Sequence, residues 1–266
     1  MADIIKIGAL ISGTGTNLRA IIDAGKEGKL AGEVVFIGSD NPQAAGLELG
    51  RRHGIPTFVI DYRAIIQSSR DALPNSALPP DASLNELLVK QNLFPTSVDP
   101  QKVTAFLVSR VIAESRLLKA MAPYEIDLLA LAGYMRTLTP YFIDRINTDP
   151  EHPRIMNIHP ALLPAFPGTD GYGDAFRFGC KVAGCTVHFV DYGEDTGPII
   201  GQKAFPIEIN DTLDAVREKG LKLEWALYPE CIDLFARGRL KIVETAYSRP
   251  GRRRKLKRTV VKILPG

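Results

Sequence analysis

The chain has 266 residues, 45% of them apolar, and a formal net charge of +3, enough to bury one sizeable core. No apolar run approaches the roughly 20 residues that cross a bilayer, and Cys180, Cys185 and Cys231 have neither the number nor the spacing of a disulfide framework or a metal site. The first residues, Met1-Ala2-Asp3-Ile4-Ile5-Lys6, lack the pattern of a secretory signal, so a cytoplasmic protein is expected.

The charge is uneven. Residues 249–266 hold eight basic side chains and no acid, leaving 25 basic and 30 acidic side chains, a net of −5, over the first 248 residues.

In chain order, apolar runs alternate with helix-period stretches, the signature of a mainly parallel sheet covered on both faces by helices. The expected fold is an α/β, Rossmann-like open twisted sheet. Strands are expected at 4–12, 34–39, 57–61, 128–132, 155–159, 186–190 and 199–207, and helices at 16–27, 43–52, 103–121, 140–146 and 212–236. Continuous apolar runs such as 126–132 suit strands buried on both faces.

Between the first strand and the first helix stand Gly13, Thr14, Gly15, Thr16 and Asn17. Glycines there let the backbone approach an anion, and the free N–H groups and dipole of the helix start favour a phosphate. A dinucleotide fingerprint needs a third glycine where this chain has Leu18. Asp40, near the end of the second strand, keeps a nicotinamide reading open, and on the loop alone a plain structural turn competes equally with a phosphate site.

Residues 63–100 form an unusually long connection, broken by Pro74, Pro79 and Pro80. It reads as an irregular surface excursion in preference to a lid. Near the carboxyl end, Pro250-Gly251 between two β-rich stretches predicts a hairpin. The expected organisation is a catalytic domain over 1–247 and a basic extension over 248–266 that completes a hairpin on the same domain.

The chemistry sits in two segments, Asn157-Ile158-His159-Pro160 and Asp195-Thr196-Gly197. An amide, an imidazole and a carboxylate on separate loop edges can bind a developing oxyanion and move a proton, which is acyl transfer. Strand alternation puts Asn157 and His159 on one side. Taken singly, Asn157 reads equally as a turn residue and Asp195 as a loop acid; their combination beside the phosphate loop favours chemistry.

Four motifs, Ile11 to Leu18, Leu131 to Arg136, Asn157 to Pro164 and Asp195 to Ile200, together resemble the phosphoribosylglycinamide formyltransferase family of purine biosynthesis, across most of residues 4–238. The resemblance implies a formyl transfer from 10-formyltetrahydrofolate, as co-substrate, to the amine of glycinamide ribonucleotide, with no metal. It implies Asn157, His159 and Asp195 as catalytic residues, with Asn157 donating to the oxyanion, His159 donating or relaying, and Asp195 accepting the proton. It further implies that Gly13, Thr14, Gly15, Thr16 and Asn17 hold the phosphate and Glu224 the ribose hydroxyls. For Glu224 a solvated helix face is the rival. Met135, Arg136, Thr137, Leu138, Val190, Asp191 and Asp195 would surround the folate, and Leu163-Pro164 is a candidate cis bond.

Two departures stand out. Many family members carry a histidine-containing segment where this chain has Thr169-Asp170-Gly171-Tyr172-Gly173-Asp174, and an apolar residue is commoner at Glu194. The rival activities are a formyltetrahydrofolate deformylase and, less favoured, a formyltransferase that binds tRNA or another nucleic acid through the basic tail, which lacks interleaved aromatic residues. The expected partners are small molecules, with no membrane; a homodimer is compatible with the sequence.

Overall fold

The computed structural model describes residues 4–72, 78–247 and 256–266, with side chains omitted over 68–72. Its centre is a seven-stranded sheet in the order β3-β2-β1-β4-β5-β6-β7. The strands are β1 (Ile5–Ile11), β2 (Gly32–Ser39), β3 (Thr57–Val59), β4 (Leu128–Leu131), β5 (Ile155–His159), β6 (Val182–Phe189) and β7 (Ile199–Pro206). The first five pair in parallel, while β6 and β7 return antiparallel. The chain winds outward from β1 to β3, then crosses to β4 on the other side. That reversal opens a crevice beyond the carboxyl ends of β1 and β4, the place where open α/β sheets take ligands.

Alternation along β1 divides the core. Ile7, Ala9 and Ile11 join one buried cluster with Leu18, Ile21 and Ile22 of α1 (Thr16–Lys26) and Leu227, Tyr228 and Ile232 of α8 (Leu213–Ala236). Leu10 faces the other way, with Leu117 and Met121 of α5 (Pro100–Met121) and Phe142 and Ile143 of α6 (Pro140–Ile146). Burial on both faces explains why these strands read as unbroken apolar runs. The Tyr228 hydroxyl donates to the Met156 and Leu131 carbonyls at 2.7 and 3.2 Å, tying α8 to the strands that end at the crevice.

All twelve sequence-derived strands and helices have counterparts, β5 and α6 with the expected bounds and the others with shifted ends. β6 starts four residues earlier than expected, and α2 (Leu47–His53) begins only after turns at 42–46. The 63–100 stretch departs more from its expectation. It contains α3 (Tyr62–Ala72) and α4 (Leu84–Lys90), so its described part is largely helical and not irregular. Ser83 caps α4 by accepting from the Glu86 N–H, and Leu87 buries with Val103, Leu107, Val111 and Tyr141 in a cluster of its own. Residues 73–77, with Pro74, lie outside the described residues.

The loop expected over 169–174 also becomes helix, α7 (Gly171–Arg177). The expected hairpin is present, as β8 (Leu240–Tyr247) pairs antiparallel with β9 (Leu256–Ile263). Leu240, Ile242 and Val261 pack on the main core. The turn at Pro250-Gly251 and the cluster Arg249, Arg252, Arg253, Arg254 and Lys255 lie outside the described residues. No helix among the described residues is long and apolar enough to cross a membrane.

Candidate active site

A cleft of about 380 Å³ opens at the carboxyl ends of β1, β4 and β5. Its floor follows from strand register. Asn157 on β5 lies opposite His188 on β6, and His159 lies opposite Thr186, so Asn157 and His188 meet across the antiparallel pair. Thr186 fixes the turn after β5, donating to the Ala161 carbonyl at 2.7 Å and accepting from the Leu163 N–H at 3.0 Å. The Leu163-Pro164 bond in that turn, a candidate in the sequence, is cis.

His159 is 3% exposed. Its Nε2 lies 2.8 Å from the Phe166 carbonyl and its Nδ1 3.2 Å from Asp195 Oδ2. Each ring nitrogen thus faces an acceptor, an arrangement that an imidazolium satisfies with two donated hydrogen bonds. Asp195 Oδ2 also accepts the Gly168 N–H at 2.9 Å. Burial acts to raise the Asp195 carboxyl, but His188, His159 and the Gly168 N–H outweigh it and hold it below the ordinary carboxylate value.

His188 received no role in the sequence reading, although it stands in the segment that carries Asp195. Its Nδ1 lies 2.8 Å from the Phe189 carbonyl, and its Nε2 lies 3.1 Å from Asn157 Nδ2 and 3.6 Å from Asp195 Oδ1. Nε2 thus stands between the Asn157 amide, which lines the cleft, and the Asp195 carboxylate. The signal was available: Thr186 and His188 share a face of β6 by period-two alternation.

One wall is the loop after β4. Gly133 at φ 79° turns it, the Gly133 carbonyl accepts the Ser12 N–H at 3.0 Å, and the Met135 N–H donates to Ser12 Oγ at 2.8 Å. Met135, Arg136, Thr137 and Leu138 line this side, with Val190 and Asp191 across from them. Arg136 forms an ion pair with buried Asp40. The acid that kept a nicotinamide reading open is therefore committed to a guanidinium.

The other wall is built from α1 and α8. Asn17 Nδ2 and the Tyr172 hydroxyl each donate to Glu224 at 2.7 Å, one to each carboxylate oxygen. Glu224 is 5% exposed and lines the cleft, which replaces the solvated-face alternative. Burial raises its carboxyl despite those two donors. Gly13, Thr14, Gly15 and Thr16 do not line the cleft itself; Asn17 does. Gly15 caps α1 at φ 74°, and a Cβ there would meet Gly46 Cα at 2.8 Å. The α1 amino end has no side-chain cap and no acid in its first turn, so its positive end stays uncompensated.

Burial pushes the Cys185 and Cys231 thiols up to about 12, so both stay protonated. Among the described residues, no three His, Cys, Asp or Glu side chains converge as a metal site.

Residues 5–232 match the family model described as formyl transferase. The chain belongs to the formyl transferase family. Among formyl transferase relatives, it is 34% identical over 85% of its length to the phosphoribosylglycinamide formyltransferase of Bacillus subtilis, covering 92% of that protein. It is 32% identical over 90% of its length to the trifunctional purine biosynthetic protein adenosine-3 of Gallus gallus, but spans only 19% of that longer protein. The crystal structure of glycinamide ribonucleotide transformylase 1 from Symbiobacterium toebii superposes with a TM-score of 0.69 at 36% identity, covering 98% of this chain and 95% of that one.

Proposed function

We propose that the cleft transfers the formyl group of 10-formyltetrahydrofolate to the amine of glycinamide ribonucleotide in purine biosynthesis. One observation carries this reading: Asn157, His159 and Asp195 meet at the floor of a cleft with an apolar, backbone-rich wall on one side and Asn17 and Glu224 on the other. The named relatives supply the formyl group and its glycinamide ribonucleotide acceptor.

In this reading the folate enters against Met135, Arg136, Thr137 and Leu138, with Val190 and Asp191 closing the opposite side. The ribonucleotide sets its phosphate at Gly13, Thr14, Gly15, Thr16 and Asn17, where the uncapped start of α1 favours a dianion, and its ribose hydroxyls at Glu224. Its free amine attacks the formyl carbon, forming a C–N bond and an oxyanion. Asn157 donates an amide N–H to that oxygen. His159, held between the Phe166 carbonyl and Asp195, fixes that carboxylate and helps move the proton. Asp195, ionised and within reach of both imidazoles, takes the excess ammonium proton directly or through water. Collapse of the intermediate breaks the bond to folate N10, which takes that proton back from Asp195, directly or through water, as it leaves.

The same reading makes residues 1–247 the catalytic unit, with the β8–β9 hairpin completed by 248–266, and places the reaction in the cytoplasm. An assay with and without glycinamide ribonucleotide, following tetrahydrofolate and formate, tests it. Tetrahydrofolate formed only with the acceptor is expected. Formate release without the acceptor would replace the transferase with a deformylase.

A further inference from the structure

The amino end of α7 places a tyrosine against the Glu224 carboxylate. α7 starts with Gly171 pressed on the turn after β5, where a Cβ would meet the Pro160 carbonyl at 2.6 Å. The next residue, Tyr172, is driven into the gap between α7 and α8 and is 5% exposed. Its ring lies on Gly220, where a Cβ would come within 2.1 Å of Tyr172 Cζ. Gly220 stands in the interior of a 24-residue helix, a position glycine disfavours. The close approach of the ring accounts for it. Phe205 on β7 flanks the ring at a centroid distance of 6.1 Å. One helical turn after Gly220, on the same face of α8, comes Glu224, and the Tyr172 hydroxyl meets its Oε1 at 2.7 Å.

We infer that Tyr172 is a positioning residue that sets the Glu224 carboxylate, with Asn17, as an acceptor for the hydroxyls of the ribonucleotide. The inference rests on the reading that Glu224 is the ribose site. An ionised carboxylate only accepts hydrogen bonds, and a vicinal diol offers two O–H donors. Tyr172 and Asn17 each occupy one oxygen of Glu224, which fixes the plane of the carboxylate and leaves each oxygen further acceptor capacity. Asn17, whose Nδ2 donates to Glu224 Oε2 at 2.7 Å, lines the same end of the cleft. A carboxylate fixed in this way at one end of the cleft matches the paired O–H donors of a vicinal diol. The Tyr172 hydroxyl stays a donor, because burial and then the charge of Glu224 raise its pKa far above its ordinary value. Removing it withdraws one of the two hydrogen bonds that oppose the upward push of burial on Glu224.

The test is Tyr172→Phe, which keeps the ring on Gly220 and deletes only the oxygen, measured beside Glu224→Gln and the double variant. A hydrogen bond to a charged group is worth roughly 10-fold to 100-fold in an equilibrium constant. Tyr172→Phe is expected to raise the KM for glycinamide ribonucleotide about 10-fold, with a far smaller change in kcat and none in the KM for the formyl donor. The acidic limb of kcat/KM for the ribonucleotide should move to higher pH, since Glu224 then protonates more easily. In the Glu224→Gln background the same change should add little. A rise in both KM values together, with the acidic limb unmoved, would mean that Tyr172 is only a packing residue and would overturn the inference. So would a silent Tyr172→Phe beside a Glu224→Gln with raised KM, which leaves the ribose site standing. If both variants were silent, the ribose assignment of Glu224 would fall and the inference with it.

Discussion

His159 Nδ1 and Asp195 Oδ2 lie 3.2 Å apart, and Asp195 reaches that position only by taking a left-handed backbone, φ 53°. Phe166, whose carbonyl faces the other nitrogen of the same ring, is also left-handed, φ 54°. Such conformations cost non-glycine residues on the order of 1 kcal/mol or more. Two of them converge on one imidazole, so the fold holds strain where it places charge. Asp195→Asn keeps the shape and an acceptor for the Gly168 N–H but removes the charge. Turnover is expected to fall on the order of 100-fold or more, with the thermal unfolding midpoint nearly unchanged. Steady-state kinetics with both substrates check this, and turnover within tenfold of the parent would remove Asp195 as proton acceptor.

His188 Nε2 lies 3.1 Å from the Asn157 amide nitrogen and holds that side chain in place. Replacing His188 with Phe fills the same space without that nitrogen and leaves the Asn157 amide free to turn. We expect a loss in kcat of about tenfold, smaller than the roughly 100-fold or greater loss for Asn157→Ala, which deletes the oxyanion donor itself. If His188→Phe matched Asn157→Ala, the imidazole would have to contact the reacting atoms and not only the amide.

The parallel strands and the helices that cover them were legible because both their faces bury: the runs 7–11 and 128–131 are apolar throughout, and their periods leave no other packing. The floor of the site was legible for a similar reason, since Asn157 and His159 share one strand end. His188 was missed because its role depends on which strand pairs with β5, and sequence does not give that order. The helices α3 and α4 were missed because the prolines at 74, 79 and 80 dominated the reading of 63–100, although Ser83 with Glu86 three residues later is an amino-terminal capping signal. Tyr172 was hidden by Gly171 and Gly173, which look like loop residues until tertiary contacts require their small size.

The segment after α4 braces the loop that carries Asp195. The Asn92 N–H donates to the Tyr192 carbonyl at 2.9 Å, and the Tyr192 hydroxyl donates to Asp144, whose other oxygen holds Lys90 at 2.8 Å. This network joins α4, α6 and the wall at 190–195. Tyr192→Phe removes one partly buried hydrogen bond, worth about 1 kcal/mol. The expected result is a severalfold rise in the KM for the formyl donor and no change in that for glycinamide ribonucleotide, because only the folate-side wall loosens. Equal rises in both constants would show that the brace supports the whole floor and not that wall.

Glu114 on α5 is fully buried, and burial pushes its carboxyl up to about 8 even though Thr139 donates to it through its N–H and its hydroxyl. The folded state therefore binds this proton more tightly than the unfolded chain, whose carboxyl titrates near 4.5. A carboxyl raised in this way contributes stability that is fully present below about pH 4.5 and is lost as pH rises through about 8. The loss across that window is on the order of a few kcal/mol. Glu114→Gln cannot ionise, and it can still accept the Thr139 N–H and donate to the Thr139 hydroxyl. Urea unfolding of parent and variant at pH 5.5, 7 and 8.5 should show the variant gaining on the parent as pH rises. A constant difference in unfolding free energy across those three values would mean that the Glu114 carboxyl is already ionised in the folded protein over that range, as it is in the unfolded chain.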